Sequence, residues 1–147
     1  MATREEALSV IERLHGKPSD ETFRKFNNDN NGIHCMLKYL AMVDRPVSAG
    51  EISEFMNVST ARVSTLLRKM YDKGYIVREK NTEDARKLMI SLSDKGRQED
   101  RRCADEMIEI FRKIIDKVGK DRMEDFISVS HEIRAIVQDE IKHITTE

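Results

Sequence analysis

The spacing of apolar residues is helical along the chain except in one segment, between Gly74 and Ser93, and this exception constrains the fold most. On both sides of it, apolar residues recur every three or four positions, as in amphipathic helices. Within it, residues 75–80 begin with aromatic and β-branched side chains, and residues 88–92 alternate apolar and polar positions. The polar segment 81–87 joins them. The sequence therefore predicts one β-hairpin in an otherwise helical chain.

Six helices are predicted around this hairpin. They are 3–15, 33–43, 48–56, 59–73, a long helix that ends before Gly119, and a last helix from about Met123. A polar turn is predicted at 27–32. The 147 residues include only 6 Gly and 2 Pro, and 36% are charged, which excludes an all-β sandwich and a collagen-like or low-complexity chain.

Several functional classes are excluded by what the sequence lacks. No stretch approaches the run of about 18 apolar residues that a membrane span needs. The N-terminus carries early acidic residues and no apolar core, so it does not resemble a secretory signal. The two cysteines fit a reducing cytoplasm. No catalytic motif is present. We therefore expect a cytoplasmic protein that contacts no membrane and is not an enzyme.

Two short helices joined by a tight turn precede the hairpin. Ser48 is the predicted N-cap of the first, with Glu51 at the capping-box position. Ser59 is the predicted N-cap of the second, which ends at Gly74. This arrangement is typical of a winged helix-turn-helix, so the predicted fold is mainly α with a small β-hairpin wing.

The second of these helices has two chemically different faces. An apolar face points to the core and consists of Val63, Leu66, Leu67 and Met70. The opposite face is basic, small and hydrogen-bonding, with no acid before Asp72; it consists of Ala61, Arg62, Ser64, Thr65, Arg68 and Lys69. Such a face suits the DNA major groove, and the helix N-terminus suits a phosphate.

The predicted wing adds further basic residues. They are Arg78, Lys80, Arg86 and Lys87. An extended loop tipped by arginine can enter a minor groove. Asp84 is unusual in a loop that faces phosphate. Its expected role is structural, either orienting Arg86 or accepting backbone N–H bonds in the turn.

The charge distribution agrees with a polyanionic partner, although the chain as a whole has a net charge of −1. Residues 59–97 carry 10 basic and 5 acidic side chains, whereas the segments before and after them are net acidic. Local potential steers a polyanion. Two alternatives remain: the charges form an ordinary solvated face, or the winged helix is a protein-interaction module.

These residues resemble the MarR-type transcriptional regulators. The resemblance lies in residues 46–64, in residues 67–78, and in the wing sequence Asp84-Ala85-Arg86-Lys87 with the exit 90–96. It implies a homodimeric regulator, repressor or activator, on a pseudo-palindromic operator in double-stranded DNA. It also implies that Ser59, Thr60 and the helix to Lys69 form the recognition helix. Arg86 would be the minor-groove arginine with Asp84 as its support, and Ser48 would contact the DNA backbone.

The last predicted helix is apolar on two stripes, more than one small lobe can cover. The stripes are Phe126, Ile133, Val137 and Ile144, and Ile127, Val129, Ile136 and Ile141. A two-fold contact with a second copy would bury them. We therefore assign residues 1–29 and 98–147 to helical dimerisation and residues 30–97 to the DNA-binding lobe.

Effector sites are less defined by the sequence. The resemblance implies release of DNA by a small aromatic ligand or by an oxidant, and no other cofactor is expected. Both Cys35 and Cys103 are interpreted as small buried hydrophobes rather than sensors. Arg101 and Arg102 lie beside Cys103, where positive charge would lower the pKa of a thiol. A redox-responsive regulator acting through Cys35 or Cys103 remains an alternative. A zinc site built from His34, Cys35, His131 and an acid is the metal-binding alternative. Neighbouring helix positions diverge, so His34 and Cys35 are poor metal co-ligands and no metal is expected.

Overall fold

The computed structural model describes residues 1–15 and 32–145. Of the polar turn predicted at 27–32, residues 27–31 lie outside the described residues, and the assignment of Gly32 to the turn is wrong because it begins a helix. In chain order the elements are α1 (Arg4–His15), α2 (Gly32–Val43), β1 (Val47–Ser48), α3 (Ala49–Met56), α4 (Thr60–Asp72), β2 (Ile76–Lys80), β3 (Leu88–Leu92), α5 (Asp94–Val118) and α6 (Lys120–Thr145). The predicted fold class, mainly helical with a small wing, is confirmed. The described residues form two compact units, one within 32–105 and the other within 1–15 and 106–145.

The caps that the sequence predicts define the two short helices. At the start of α3, the Ser48 N–H donates to Glu51 Oε2 at 2.8 Å, and the Glu51 N–H donates to Ser48 Oγ at 3.2 Å. This is the predicted capping box. Asn57 ends α3 in the left-handed conformation, with φ 53°. The turn to α4 is short because Ser59 caps the next helix at once, its Oγ accepting from the Arg62 N–H at 3.2 Å.

The wing belongs to a sheet of three strands in the order β1-β3-β2, all antiparallel. The predicted hairpin is present, with Ile76 opposite Leu92 and Lys80 opposite Leu88. The prediction of only two strands is wrong, because Val47 and Ser48 pair with Ile90 and Met89. A two-residue strand shows no alternation, so its sequence carries no periodic signal. The third strand attaches the wing to the start of α3.

The core of the winged unit lies beneath α4. The face predicted to be apolar is buried, as Val63, Leu66, Leu67 and Met70 are 8% exposed or less. These side chains pack with residues of α2, α3 and the sheet, among them Met36, Leu40, Ile52 and Ile90. Because α4 is anchored along one side, its other side is held toward solvent.

A serine and a glycine fix the exit from the wing. Ser93 Oγ donates to the Gly74 carbonyl oxygen at 2.5 Å and accepts from the Gly96 N–H at 3.0 Å. A Cβ on Gly96 would overlap the carbonyl oxygen of Tyr75. The segment 92–96 therefore needs serine and glycine at these positions to join β3 and α5 beside the end of α4.

The second unit consists of α1, the part of α5 from Glu106 and α6. Its buried core includes Ala7, Val10, Ile108, Phe111, Ile115, Met123 and Ile127. Arg13 and Glu124 connect α1 to α6 through two hydrogen bonds of 2.7 and 2.6 Å. Gly119, with φ 91°, separates α5 from α6.

Most of the apolar side chains predicted on the last helix are exposed. Only Ile127 of the eight is buried, and the others are between 48% and 74% exposed: Phe126, Val129, Ile133, Ile136, Val137, Ile141 and Ile144. We call these seven residues the α6 apolar face. None of the described helices combines the length and apolar character needed to cross a membrane.

Candidate nucleic-acid interface

The outward side of α4 carries every residue that the sequence places on a recognition helix, and all of them are exposed. They are Ser59, Thr60, Ala61, Arg62, Ser64, Thr65, Arg68 and Lys69. Ser59 lies at the N-cap and is followed by the first turn, so unpaired N–H groups of that turn face outward. The Thr65 hydroxyl donates to the Ala61 carbonyl oxygen at 3.1 Å, which fixes its orientation.

The cations of this side are available to a partner. Within the described chain, no ion pair engages Arg62, Arg68 or Lys69. No acid lies on the helix before Asp72, its last residue. The side therefore presents uncompensated positive charge with short hydroxyl side chains between the cations.

The wing tip is held by backbone hydrogen bonds. The Arg86 N–H donates to Asp84 Oδ1 at 3.0 Å, and the Lys87 N–H donates to the Asp84 carbonyl oxygen at 3.0 Å. Of the two roles expected for Asp84, the structure therefore shows the contact with the backbone of the turn. Asn81 closes the loop, its N–H donating to the Lys87 carbonyl oxygen at 2.9 Å. Arg86 and Lys87 are exposed at the tip.

The first strand of the wing, β2, brings Arg78 beside α4. Its guanidinium lies 4.5 Å from the centre of the Tyr71 ring. Sequence reasoning missed Tyr71, because its position at the end of α4 does not show which strand passes it. The sequence does offer a signal: an aromatic residue lies at the end of the basic helix, and an arginine follows it on the next strand, after the turn at Gly74. Arg78 and Lys80 are both exposed.

Ser48 lies at the other edge of the candidate interface, where β1 passes into α3. Its hydroxyl oxygen is occupied as the acceptor for the Glu51 N–H, which leaves the hydroxyl proton for another partner. Glu51 also pairs with Arg45 at 3.0 Å. The hydrogen bond from the Ser48 backbone, the largest contribution, and the pair with Arg45 lower the pKa of Glu51, while desolvation opposes them.

The cysteines and histidines that the sequence suggests as redox or metal-binding residues do not come together at one site. Cys35 is fully buried in the core of the winged unit, as a small hydrophobe is expected to be. The interpretation of Cys103 as a buried hydrophobe is wrong, because this residue is partly exposed. Its Sγ lies 3.4 Å from Nε2 of His34. This pair was missed, since the residues lie 69 positions apart. His131 contacts the Arg13 carbonyl oxygen instead. Within residues 1–15 and 32–145, no cluster of three or more His, Cys, Asp or Glu is arranged to hold a metal ion.

Comparisons with known proteins agree with this geometry. The MarR family model matches residues 43–88, which run from the end of α2 to the start of β3. No curated protein sequence matches the chain.

Solved structures share the fold at low sequence identity. Transcriptional regulator Tm0710 from Thermotoga maritima is 21% identical over 95% of this chain and 93% of its own, with a TM-score of 0.52. MepR from Staphylococcus aureus, a transcription regulator of the multidrug efflux pump MepA, is 15% identical over 93% and 99%, with a TM-score of 0.63. FabT from Streptococcus pneumoniae, solved in complex with DNA, is 23% identical over 70% and 73%, with a TM-score of 0.53. The chain therefore has the winged helix-turn-helix fold of these solved regulators, and its residues 43–88 are similar to the MarR family.

Proposed function

We propose that the chain is a dimeric, sequence-specific DNA-binding transcriptional regulator, acting as a repressor. The observation that carries the proposal is the outward side of α4, where Arg62, Arg68 and Lys69 are exposed and free of ion pairs among the described residues. Exposed cations without a neighbouring acid give this side a positive potential, which attracts a polyanion. The DNA complex of FabT, which shares the fold, supports the choice of DNA.

In this proposal α4 enters the major groove. Arginine recognises guanine edges with two hydrogen bonds, and short serine and threonine side chains permit close approach. The N–H groups after Ser59 and Thr60 face a phosphate, and Ser48 donates its hydroxyl proton to another. Arg86 enters the adjacent minor groove, with its backbone fixed by Asp84. Arg78, Lys80 and Lys87 contact phosphates beside it.

The partner that covers the α6 apolar face in this proposal is a second copy of the chain. Seven large apolar side chains exposed by about half or more on one helix exceed what a monomer normally leaves in water. Leu8 of α1 and Ile110 of α5 are exposed in the same unit, at 39% and 52%. A two-fold contact makes each copy cover the other. Two recognition helices about 34–36 Å apart would then read a pseudo-palindromic site of successive major grooves.

We infer further that a small aromatic ligand releases the protein from DNA and that the protein acts in the cytoplasm. The family resemblance supports the ligand. Among the described residues neither Cys35, which is buried, nor Cys103, which is partly exposed, takes part in a disulfide, and this supports a reducing compartment.

The test is binding of the purified chain to the DNA upstream of its own gene, measured by fluorescence anisotropy from 50 to 300 mM salt. We expect a shift that a shuffled duplex of the same composition does not give. The logarithm of the affinity should fall linearly with the logarithm of salt, with a slope of about −0.9 for each phosphate contacted. No sequence-selective binding at low salt would refute the proposal and favour a protein-interaction module.

A further inference from the structure

A second cluster of reactive side chains lies in the winged unit, away from α4 and the wing. Cys103 of α5 places its Sγ 3.4 Å from Nε2 of His34 in α2. A histidine nitrogen at this distance can accept the thiol proton, which gives the pairing of nucleophile and base found in activated cysteines. Cys103 is partly exposed and His34 is exposed, so a small reagent can reach both.

Two residues of opposite charge, Arg102 and Glu99, lie beside the thiol of Cys103. Arg102 donates to Glu99 through Nε at 2.9 Å and through a terminal nitrogen at 2.7 Å. This pairing is the main reason that the pKa of Glu99 is lowered to about 2. Glu99 Oε1 lies 3.6 Å and the Arg102 terminal nitrogen 3.9 Å from Sγ of Cys103. The thiol therefore meets one carboxylate and one guanidinium, and their opposite charges favour neither an anionic nor a cationic reagent.

The other cysteine provides the contrast. Cys35 has no exposed surface and packs in the hydrophobic core of the winged unit. A disulfide cycle between the two thiols would require this core residue to leave its place. A reaction that ends with a single modified cysteine needs no such movement.

We propose that Cys103 is a covalent modification site for small uncharged α,β-unsaturated carbonyl compounds, with His34 as its general base. His34 Nε2 takes the proton from the thiol, and the thiolate adds to the β-carbon of the reagent. A carbon–sulfur bond forms as the carbon–carbon π bond breaks, and its electron pair moves to the enolate. The imidazolium then returns the proton to the α-carbon. The product is a thioether, and no oxidant or reductant takes part.

The test uses N-ethylmaleimide with the native full-length chain, and the adducts are located by intact mass and peptide mapping. With one equivalent at pH 7, we expect a single adduct on Cys103. Cys35 should be modified only after unfolding in guanidinium. Cys103→Ser should give no adduct in the native protein. Modification of Cys35 before Cys103, or equal rates at both sites, would overturn the proposal.

Two variants distinguish the effect of the base, His34, from that of the neighbouring charge on Glu99. His34→Gln keeps an exposed polar side chain of similar size but removes the proton acceptor, and it should slow the adduct at pH 7 by about tenfold. Glu99→Gln removes a competing acceptor and a negative charge near the thiolate, so its rate should equal or exceed that of the wild type. A loss in Glu99→Gln as large as that in His34→Gln, or no loss in His34→Gln, would refute the role of His34. Thermal unfolding establishes that each variant is folded.

The pH profile gives a second readout that does not depend on one rate. An ordinary thiol, with a pKa near 8.5, gains reactivity about tenfold per pH unit across neutrality. The wild-type rate should change much less between pH 6.5 and 8, whereas the His34→Gln rate should follow the ordinary thiol. Identical steep profiles would contradict the proposal. This test is independent of DNA binding, since it measures mass alone.

Discussion

Tyr71 and Arg78 join the end of the candidate recognition helix to β2, the first strand of the wing, the guanidinium lying 4.5 Å from the ring centre. Tyr71 is 53% exposed, so its ring lies at the surface, where it contacts the Arg78 guanidinium. A guanidinium over a ring at an exposed site contributes about 0.5–1 kcal/mol. This contact limits the directions in which Arg78 can point.

Tyr71→Ala should therefore weaken DNA binding about two- to fivefold without changing the melting temperature much, because Arg78 loses its support. Tyr71→Phe retains the ring and should bind like the wild type. Fluorescence anisotropy on the same duplex measures both variants. Equal losses in the alanine and phenylalanine variants would show that the hydroxyl, rather than the ring, is what matters.

Arg68→Ala and Arg86→Ala should each weaken binding to the operator substantially, because each removes a cation from the groove-facing surface. The expected cost is about 1–3 kcal/mol for a contact with a base edge, and a contact with phosphate reduces the salt slope by about one. Arg122→Ala, at an exposed position in the first turn of α6, is the matched control and should bind normally. Normal binding by either α4 or wing variant would remove that residue from the interface.

The capping box at α3 should make a measurable contribution to stability. Ser48→Ala removes the acceptor for the Glu51 N–H, and we expect a loss of about 1 kcal/mol in the free energy of unfolding. Chemical denaturation measures this loss. An unchanged midpoint would show that water replaces the cap at no cost.

The capping box formed by Ser48 and Glu51 also predicts how the stability of the fold depends on pH. The pKa of Glu51 is lowered in the folded chain, first by the Ser48 backbone hydrogen bond. The stabilisation is therefore fully present above the unfolded value of about 4.3 and is lost as pH falls through the folded value. Glu51→Gln should lose less stability between pH 5 and 3 than the wild type does. Glu79→Gln, on the exposed wing strand, should behave like the wild type.

A charge in the α6 apolar face should separate the copies if this face is the dimer contact. Ile133, which is 56% exposed, is a suitable site. Ile133→Glu should sediment as a monomer at micromolar concentration, because the contact would bury its carboxylate without a partner. Ser128→Glu places the same charge on the exposed polar side of α6 and should leave the dimer intact. A wild-type chain that sediments as a stable folded monomer would refute the dimer itself.

Gly96 should tolerate no side chain. A Cβ there would overlap the Tyr75 carbonyl oxygen, which is backbone and cannot turn aside. We expect Gly96→Ala to destabilise the fold by about 1–3 kcal/mol, the range for an overpacked site. Gly50→Ala is the control, since its Cβ would lie at an ordinary 3.7 Å from Ser48 Oγ. In the helix α3 that change should be neutral or stabilising. Similar melting temperatures for the two variants would contradict the overlap.

The parts of the fold that the sequence predicts are those with local causes. Ser48 and Ser59 cap helices through bonds to residues three positions away, so their roles can be read from the spacing. The buried face of α4 follows from helical periodicity. The turn role of Asp84 likewise involves a residue two positions away.

The parts that the sequence does not predict depend on distant neighbours. Val47 and Ser48 form a strand only because Ile90 and Met89 lie beside them. His34 meets Cys103 because α2 and the part of α5 before Glu106 belong to one unit, and Tyr71 meets Arg78 because of the turn at Gly74. No spacing rule connects such pairs. Groove contacts and the partner of the α6 apolar face depend on molecules outside the chain.

Ser48 belongs both to β1 and to the N-cap of α3, and this double role limits where the chain can accept insertions. The pairing of β1 with β3 ties the register of the wing to the first turn of α3. An insertion within β3 would displace that turn, whereas residues 81–87 lie beyond the last pair, Lys80 with Leu88. The loop at 81–87 can therefore become longer or shorter without changing the pairing of β1 with β3 or the position of α3. Descendants of this chain could acquire a different reach along a duplex by changing loop length alone.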